Sequence, residues 1–401
     1  MQRATARESP VARVADGPHS RPSSRGFFCA RVWPATECDP LSDMLGAVQQ
    51  LSSHQPSVVP SAAIAEEQPR AAYALWSPSR RRYQLWGAIV LIAVAVLTTL
   101  PGRSLRTQVA RVRFFASCAR EIKHISELTR PSTSENLTRT LQERPSLVGM
   151  AAWPYINSSW SVGERFNAVQ THYDELERFK SLQIGTREQL QVSDLGDIVP
   201  GLRVVIDRPN WFMREGELTV NLFKDDFRAY SLAFTFGRIA AESILYVGCI
   251  QGRQADEVEQ LYRDLTKKLH GWRPRDVMVS LVQMIASASE VSRIRLVSES
   301  ARVHRHKYFG AAHEQLVSAN YDEIWREHGA APGEGDFFDL APQMRRRAAE
   351  EIPSNKRAMY RRRYELMDRL QADVMAAVRG QATIGQLAPA MAAVQPTTVE
   401  V

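Results

Sequence analysis

The chain is poor in cysteine and lacks the short motifs that identify common enzyme classes. Its four cysteines are widely spaced, with neither a CxxC pair nor a cluster with histidine. A structural zinc site or a disulfide framework is therefore not predicted, and a reducing compartment is the default. The GxSxG, Walker and HExxH motifs and paired glycosidase carboxylates are also missing. This disfavours the standard hydrolase and nucleotidase classes.

Acidic residues are outnumbered by basic ones. The chain has 51 Lys and Arg against 44 Asp and Glu, a formal net charge of +7. Such a surface favours anionic neighbours, and we expect an anionic membrane surface or envelope component as the partner. Acidic residues are interleaved through the folded part and no RRM, KH or helix-turn-helix motif occurs, so nucleic acid is disfavoured.

Both ends of the chain lack a sustained apolar period. The first 80 residues are rich in Pro, Ser and Ala, a composition typical of disorder, and no secretory signal layout opens them. We predict disordered tails over residues 1–80 and 381–401. An alternative for the first tail is a start codon assigned too far upstream, with Met44 as the true start.

One uncharged run, residues 83–102, predicts an apolar helix that ends at Pro101 and Gly102. Its apolar part is just short of the ~30 Å hydrocarbon core of a bilayer. A single-pass membrane anchor and a buried or membrane-surface helix therefore remain as alternatives. Residues 104–130 alternate cationic and apolar positions at helical spacing, with Val109, Val112 and Phe115 on the apolar side. They predict a basic amphipathic helix, either on an anionic membrane or packed on the domain.

Residues 150–380 predict one α+β domain with an antiparallel or mixed sheet flanked by helices. Ser161 and Glu164 predict a capping box at the start of its first helix. Four strand-like runs follow, and the short turns between the last three predict an antiparallel meander. The predicted strands are 201–207, 216–223, 229–236, 243–250 and 292–298, and the later helices are 255–271, 274–290, 320–329 and a closing helix from Ser354.

If the strand at 292–298 pairs with the one at 243–250, the connection is a right-handed β–α–β crossover. This order of elements resembles the acetyltransferase fold of the GNAT type. That resemblance implies acyl transfer with acyl-CoA or a similar thioester, the only cofactor we expect. The turn Gln251–Ala255 stands where that family has its phosphate-cradling turn, but it lacks the spaced glycines.

Reactive groups are densest in the loop 298–308. Glu299 and His304 are candidate catalytic residues, as general base and acid, because both side chains can titrate near neutrality in a suitable setting. The alternative is a solvated basic loop with a structural Glu–Arg pair. No metal site is predicted, since His304 and His306 lack a third ligand at suitable spacing. The candidate ligand-binding residues are Gln251, Arg253, Arg302, Arg305, Lys307, Arg357 and Arg361.

Eight successive blocks of the chain resemble the VirK/YbjX family of bacterial proteins, over about residues 100–375. The blocks are LPGRSLRTQVARVRFF, WSVGERFNAVQTHY, REGELTVNLF, YVGCIQG, LTKKLHGWRPRD, VSESARVHRH, YDEIWREHG and EEIPSNKRAMYRRRYELMDRL. The resemblance implies a Gram-negative protein linked to virulence, envelope integrity, lipid A defects and survival of cationic antimicrobial peptides. It implies no established biochemical activity.

Together these observations predict a protein of the cytoplasmic face of the inner membrane, single-pass anchored, or otherwise a cytoplasmic one. Two mechanisms remain open: a GNAT-like acyltransferase acting on an envelope component, and a non-catalytic accessory that binds anionic lipid or an envelope or virulence protein.

Overall fold

The structure is a computed structural model that describes residues 78–130, 133–253, 256–309, 320–381 and 384–386. The predicted tail 1–80 lies almost entirely outside these ranges. The helices are α1 (Pro78–Thr99), α2 (Leu105–Arg120), α3 (Ile122–Leu128), α4 (Glu135–Glu143), α5 (Val162–Leu176), α6 (Asp256–Lys268), α7 (Pro274–Ala288), α8 (Tyr321–Glu327) and α9 (Arg357–Val378). The predicted capping box is confirmed, since Ser161 and Glu164 bond each other's backbone N–H groups at the start of α5.

The described residues form a sheet of nine strands. They are β1 (Glu188–Asp194), β2 (Leu202–Asp207), β3 (Leu218–Lys224), β4 (Phe227–Ile239), β5 (Glu242–Gly252), β6 (Arg293–Val297), β7 (Ala331–Pro332), β8 (Phe337–Leu340) and β9 (Ile384–Gln386). Their spatial order is β7-β8-β6-β5-β4-β3-β2-β1-β9. Only the β5–β6 pair is parallel among these described strands. The predicted α+β class, meander and mixed sheet are thus confirmed.

Helices and strands share one hydrophobic core. Helix α7 packs across β3, β4, β5 and β6, while α5 packs on β4 and α9 on α7 and β1. The core cluster extends back from the predicted domain to Ala88 on α1, through Phe114 on α2 and Leu128 on α3. The described residues ahead of 150, from α1 onward, therefore belong to the same packed unit as the predicted domain, because their apolar faces complete its core.

The packing of helix α1 on the domain does not support the hypothesis that it is a membrane anchor. One of its faces is buried, with Ala88, Ile92 and Ala95 at 1% exposure or less. The helix packs against α2, α3 and the 3₁₀ segment Pro145–Ala151. Among the described residues, no helix combines the length and hydropathy needed to cross a bilayer. The structure agrees with the second alternative for this run, a helix that is buried on one side against the domain.

Four strands of the sheet were not predicted from the sequence. β7 and β8 extend the sheet beyond β6, and β1 and β9 extend it beyond β2. β9 lies inside the predicted disordered tail 381–401, where Ile384 to Gln386 pair with Glu188 to Leu190. The rest of that tail beyond Gln386 lies outside the described residues. Strands β7, β8 and β9, of two to four residues, carry too short a period to be recognised in sequence.

Candidate functional site

The parallel strands β5 and β6 diverge at their carboxyl ends. Their pairing runs from Ile244 beside Arg293 to Val247 beside Leu296 and then stops. Immediately beyond, β5 is irregular, because the register against β4 shifts at Gly248. In a sheet with parallel neighbours, the crevice beyond the carboxyl ends of the strands is where ligands commonly bind. This divergence is the same place that the sequence indicated.

Gly248 allows the chain ahead of β3 to pass directly over this point. A Cβ atom at Gly248 would lie 1.9 Å from the carbonyl oxygen of Glu215, so any larger residue would force the two segments apart. The close approach places the Glu215 side chain beside the divergence. It is the reason that a residue far away in sequence joins the ends of β5 and β6.

Helix α8 fills the gap between the two strands. The Tyr321 hydroxyl donates to the carbonyl of Ile250 at 2.8 Å and accepts from its N–H at 2.9 Å. The Trp325 indole N–H donates to the carbonyl of Val297 at 2.8 Å. Both aromatic side chains are fully buried. The backbone edges that the divergence would leave unpaired are therefore satisfied by two side chains rather than by strand pairing.

Glu215 is the unusual titratable group of this site. The residue is half-buried, yet its Oε2 atom is shielded from solvent and has no hydrogen-bond partner among the described residues. Burial raises the pKa of Glu215 to about 7, although the charges of Arg214 and Arg302 oppose the rise. A carboxyl group with this pKa exchanges its proton near neutrality, as a general base or acid requires.

Cys249 lies in the irregular part of β5 and is buried. Burial, and then the nearby Glu215 carboxylate, raise the pKa of its thiol well above the usual value. The thiol is consequently protonated at neutral pH. Since the thiolate is the reactive form of cysteine, Cys249 is not poised as a nucleophile in this arrangement.

An aromatic cluster holds the loop that carries Glu215. The Arg214 guanidinium lies over the rings of Trp153, Tyr308 and Phe309, at 5.0, 5.3 and 5.1 Å from their centroids. The Arg214 carbonyl accepts from the Ile156 N–H at 2.7 Å. Ile156 has φ +56°, a conformation that a β-branched residue adopts only under strain. Surrounding contacts thus fix this loop beside the divergence.

The predicted catalytic residue Glu299 lies close by but in a different setting. It forms ion pairs with Arg302 at 3.1 Å and Arg305 at 2.6 Å, and accepts from the Tyr321 N–H at 3.1 Å. Burial alone would raise the pKa of Glu299, but these partners lower it below its usual value. The carboxylate stays ionised, which suits a structural Glu–Arg pair, the alternative left open for this loop.

The other predicted site residues are dispersed. His304 is half-buried and Lys307 is exposed in the turns that follow Arg302. Gln251 is exposed at the end of β5, and the Arg253 N–H is engaged by the Tyr262 hydroxyl at 2.8 Å. Arg357 and Arg361 are exposed on α9, which packs on α7 and β1, away from β6. The structure therefore unites the 298–308 loop with the end of β5 and separates the arginines of α9 from them.

Sequence reasoning missed Glu215, Cys249 and Tyr321 as site residues. Glu215 and Cys249 stand in blocks that carried the family resemblance, but nothing in their local pattern indicates burial or a neighbour in space. Only the close packing at Gly248 brings Glu215 beside β5.

A second buried carboxylate, Glu217, directly precedes β3. Its oxygens accept from Arg208 at 3.1 Å, from Tyr155 at 3.1 Å and from Tyr173 at 2.8 Å. Burial would raise the pKa of Glu217, but the charges of Arg208 and Arg144 lower it. Every partner is itself buried. Because Tyr173 lies on α5 and Arg208 follows β2, these bonds hold α5 against the sheet.

The chain belongs to DUF535, a protein family of unknown function whose profile matches residues 103–376. This is the VirK/YbjX family, so the family predicted from the sequence blocks is confirmed.

Among its relatives, an uncharacterized protein of Haemophilus influenzae is 31% identical over 163 residues, which cover 40% of this chain and 52% of the relative. The uncharacterized protein YbjX of Escherichia coli is 26% identical over 254 residues, 61% of this chain and 76% of YbjX. The match to the first relative thus spans about half its length. No solved structure matches the chain significantly.

Proposed function

We propose that this protein is an acyltransferase that takes an acyl group from a thioester bound at the divergence of β5 and β6. The observation that carries the proposal is the pairing of these two strands. They form the parallel pair of an otherwise antiparallel described sheet, and they separate beside a strand irregularity at Gly248. The GNAT-type fold, which the order of elements resembles, uses such a splayed pair.

Glu215 supplies the chemistry that acyl transfer needs. An amine or hydroxyl acceptor attacks the thioester carbonyl carbon, forming a C–N or C–O bond as the C–S bond breaks. The acceptor loses a proton and the departing thiolate takes one up. A carboxyl group with a pKa of about 7 can accept the first proton at neutral pH. Glu299, held ionised by two guanidinium groups, is less suited to that role.

The fit to the donor is better for a thioester arm than for a nucleotide. Beyond Val247, β5 offers the N–H and carbonyl of Ile250, which now pair only with the Tyr321 hydroxyl. An extended, amide-containing arm could pair with this edge as an added strand does, once it displaces the Tyr321 hydroxyl. The turn that would hold nucleotide phosphates lacks spaced glycines. We therefore expect recognition of the acyl arm rather than of nucleotide phosphates.

An envelope component as acceptor is part of the proposal. Its support is the physiology that the VirK/YbjX resemblance implies, namely envelope integrity and lipid A defects. The cytoplasmic face of the inner membrane, where both acyl thioesters and envelope precursors would meet the enzyme, is the corresponding location.

Calorimetric titration of the protein with octanoyl-CoA, octanoyl-pantetheine and free CoA tests the proposal. We expect both thioesters to bind and free CoA to bind at least tenfold more weakly. The variant Glu215→Gln should retain thioester binding but lose transfer to an envelope lipid extract, followed by mass spectrometry. Arg263→Ala, on the exposed side of α6, is the matched control. If neither thioester binds at millimolar concentration, the proposal fails.

A second candidate function, a non-catalytic accessory protein, is favoured by one observation. Tyr321 and Trp325 are fully buried and satisfy the diverging backbone without a ligand. In that case the divergence of β5 and β6 only accommodates the side chains of α8 and binds no ligand. Loss-of-function complementation separates the two, because an accessory protein with Glu215→Gln would complement as the wild type does.

A further inference from the structure

Exposed apolar side chains are concentrated in one small part of the molecule. Eight of the eleven large hydrophobic side chains that are exposed among the described residues lie on α1 and α2. On α1 they are Leu85, Trp86, Ile89 and Leu97, with Trp86 at 66% exposure. Scattered exposed hydrophobics are normal in proteins, but a concentration of this kind marks an interaction surface.

Helix α1 has two apolar faces, and the domain uses one of them. Ala88, Ile92 and Ala95 are buried in the core. Trp86, Ile89 and Leu97 are spaced by three and eight residues, so they form a stripe along the other side. Because the buried face already packs on the domain, the exposed stripe is available to another partner.

The domain buries a different side of α2 from the apolar side that the sequence pattern predicts. The sequence predicted an apolar side containing Val109, Val112 and Phe115, yet the domain buries Phe114 and Cys118 instead. Val112 is consequently 67% exposed, and Leu105 at the start of the helix is 80% exposed. The apolar stripe that would ordinarily enter the core points outward.

The two outward faces are neighbours. Helices α1 and α2 pack on each other and both pack on the 3₁₀ segment Pro145–Ala151, so their buried sides converge on one element. The Arg111 side chain also donates to the Leu100 carbonyl at 3.1 Å, which ties α2 to the end of α1. We call this surface, formed by the exposed residues of α1 and α2, the hairpin face.

The charge around the hairpin face has one sign. Residues 78–120 contain eight arginines and neither Asp nor Glu. Arg103, Arg106 and Arg113 are exposed, and none of them has an ion-pair partner in the described part of the chain. Segments that lie in the interface of an anionic bilayer typically combine a large aromatic residue, aliphatic side chains and unpaired arginines.

We propose that the hairpin face binds the surface of a membrane rich in anionic phospholipid, lying in the head-group layer without crossing it. Crossing would require α1 to withdraw its buried face from the core. Binding on the surface requires only the side chains that are already exposed. The arginines explain the anionic preference, since each adds attraction to a negatively charged leaflet. This inference is independent of any chemistry at the divergence of β5 and β6.

Vesicle flotation with the full chain tests it, using phosphatidylcholine vesicles with and without about 30% phosphatidylglycerol, which gives the vesicle a negative surface potential. We expect flotation with the anionic vesicles, at least tenfold weaker with the neutral ones, and weaker again in high salt. Leu105→Glu with Val112→Glu should abolish it. Ile239→Glu, at an exposed apolar position on β4, is the matched control and should float normally.

Two further measurements keep the result clear. Far-ultraviolet circular dichroism and a melting curve should show both variants folded, as expected for exposed positions. Sedimentation of the wild type without vesicles should show no self-association through this face. The proposal is overturned if anionic and neutral vesicles bind the protein equally, or if the double variant still floats. It is also overturned if the wild type does not float and the double substitution only dissociates a dimer.

Discussion

Glu215 and Glu217 are two residues apart on one segment, and the fold gives them opposite properties. Glu217 pairs with Arg208 and accepts from two tyrosine hydroxyls, which lowers its pKa. Glu215 has one oxygen that is shielded and unpartnered among the described residues, and burial raises its pKa to about 7. Glu217 stabilises the fold, whereas Glu215 is available for proton transfer.

The difference shows that burial alone does not define the role of a carboxylate. Removing a charge from water disfavours the ionised form unless charges and hydrogen bonds replace the lost hydration. The sheet turns Glu217 toward Tyr173 on α5 and toward Arg208, which lies 3.1 Å away just after β2. Gly248 instead draws Glu215 toward Cys249 and Arg302. Four experiments can break or sharpen this comparison.

The largest effect is expected from Arg208→Met. The substitution leaves the Glu217 carboxylate buried and without its cationic partner, and should cost about 3–5 kcal/mol in the free energy of unfolding. Urea denaturation measures it. The double variant Arg208→Met with Glu217→Leu should regain part of the loss, because the unpaired buried carboxylate is then removed. The recovery should be incomplete, because the buried Arg144 guanidinium loses the nearby charge of Glu217. An equally large loss in the double variant would mean that packing, not charge, dominates.

Glu215→Gln should have a pH-dependent effect of opposite sign. With a folded pKa of about 7 above the unfolded value of 4.5, Glu215 costs the protein stability as pH rises through this range. Above pH 7 the variant should be more stable than the wild type by roughly 2 kcal/mol, given partial exposure. The difference should disappear below the unfolded pKa. Melting temperatures between pH 4 and pH 8 give the profile, and a constant difference would contradict it.

Tyr321→Phe should cost about 1–3 kcal/mol, since it leaves both backbone groups of Ile250 without their partner in the divergence. Hydrogen exchange at the Ile250 amide provides a local readout. We expect faster exchange there and unchanged exchange at Val247, which remains paired with β6. Protection that is unaltered at Ile250 would show that the gap is closed by other contacts.

The smallest effect is expected from Arg263→Ala. Arg263 pairs with Glu259 at 3.0 Å on α6, with both side chains well exposed. Such pairs contribute less than about 0.5 kcal/mol, and alanine is an equally good helix former. Chemical denaturation should barely distinguish the variant from the wild type. A loss comparable to that of Arg208→Met would remove the distinction between buried and exposed ion pairs in this protein.

Much of the fold could be predicted from sequence where the local pattern and the packing agree. The meander of β3, β4 and β5 was predicted because its strands are long and apolar, with short turns between them. The crossover to β6 was predicted because two helices separate β5 from that strand. The short strands β7, β8 and β9 were not. β8 and β9 pair with segments far away in sequence, and β7 has only two residues.

The position of the candidate site could be predicted from the sequence, but several of its residues could not. The ends of β5 and β6 were indicated by topology alone, and Glu299 was found as a reactive group in the loop after β6. Glu215 could not be found, because its pKa depends on contacts with chain segments far away in sequence. The orientation of α2 shows the same limit: periodicity indicates an apolar side at Val112 but cannot say whether the domain covers it.

By itself, the sequence determined the family, the α+β class, the order of the principal elements and the basic, acid-free character of residues 78–120. These properties are local or additive, so they can be read from neighbouring residues. Only the tertiary structure decided which of two nearby glutamates is paired, that Tyr321 closes the divergence and that the apolar stripe of α2 faces outward. Burial, pairing and pKa arise where distant segments meet, and such meetings leave no local pattern in the chain.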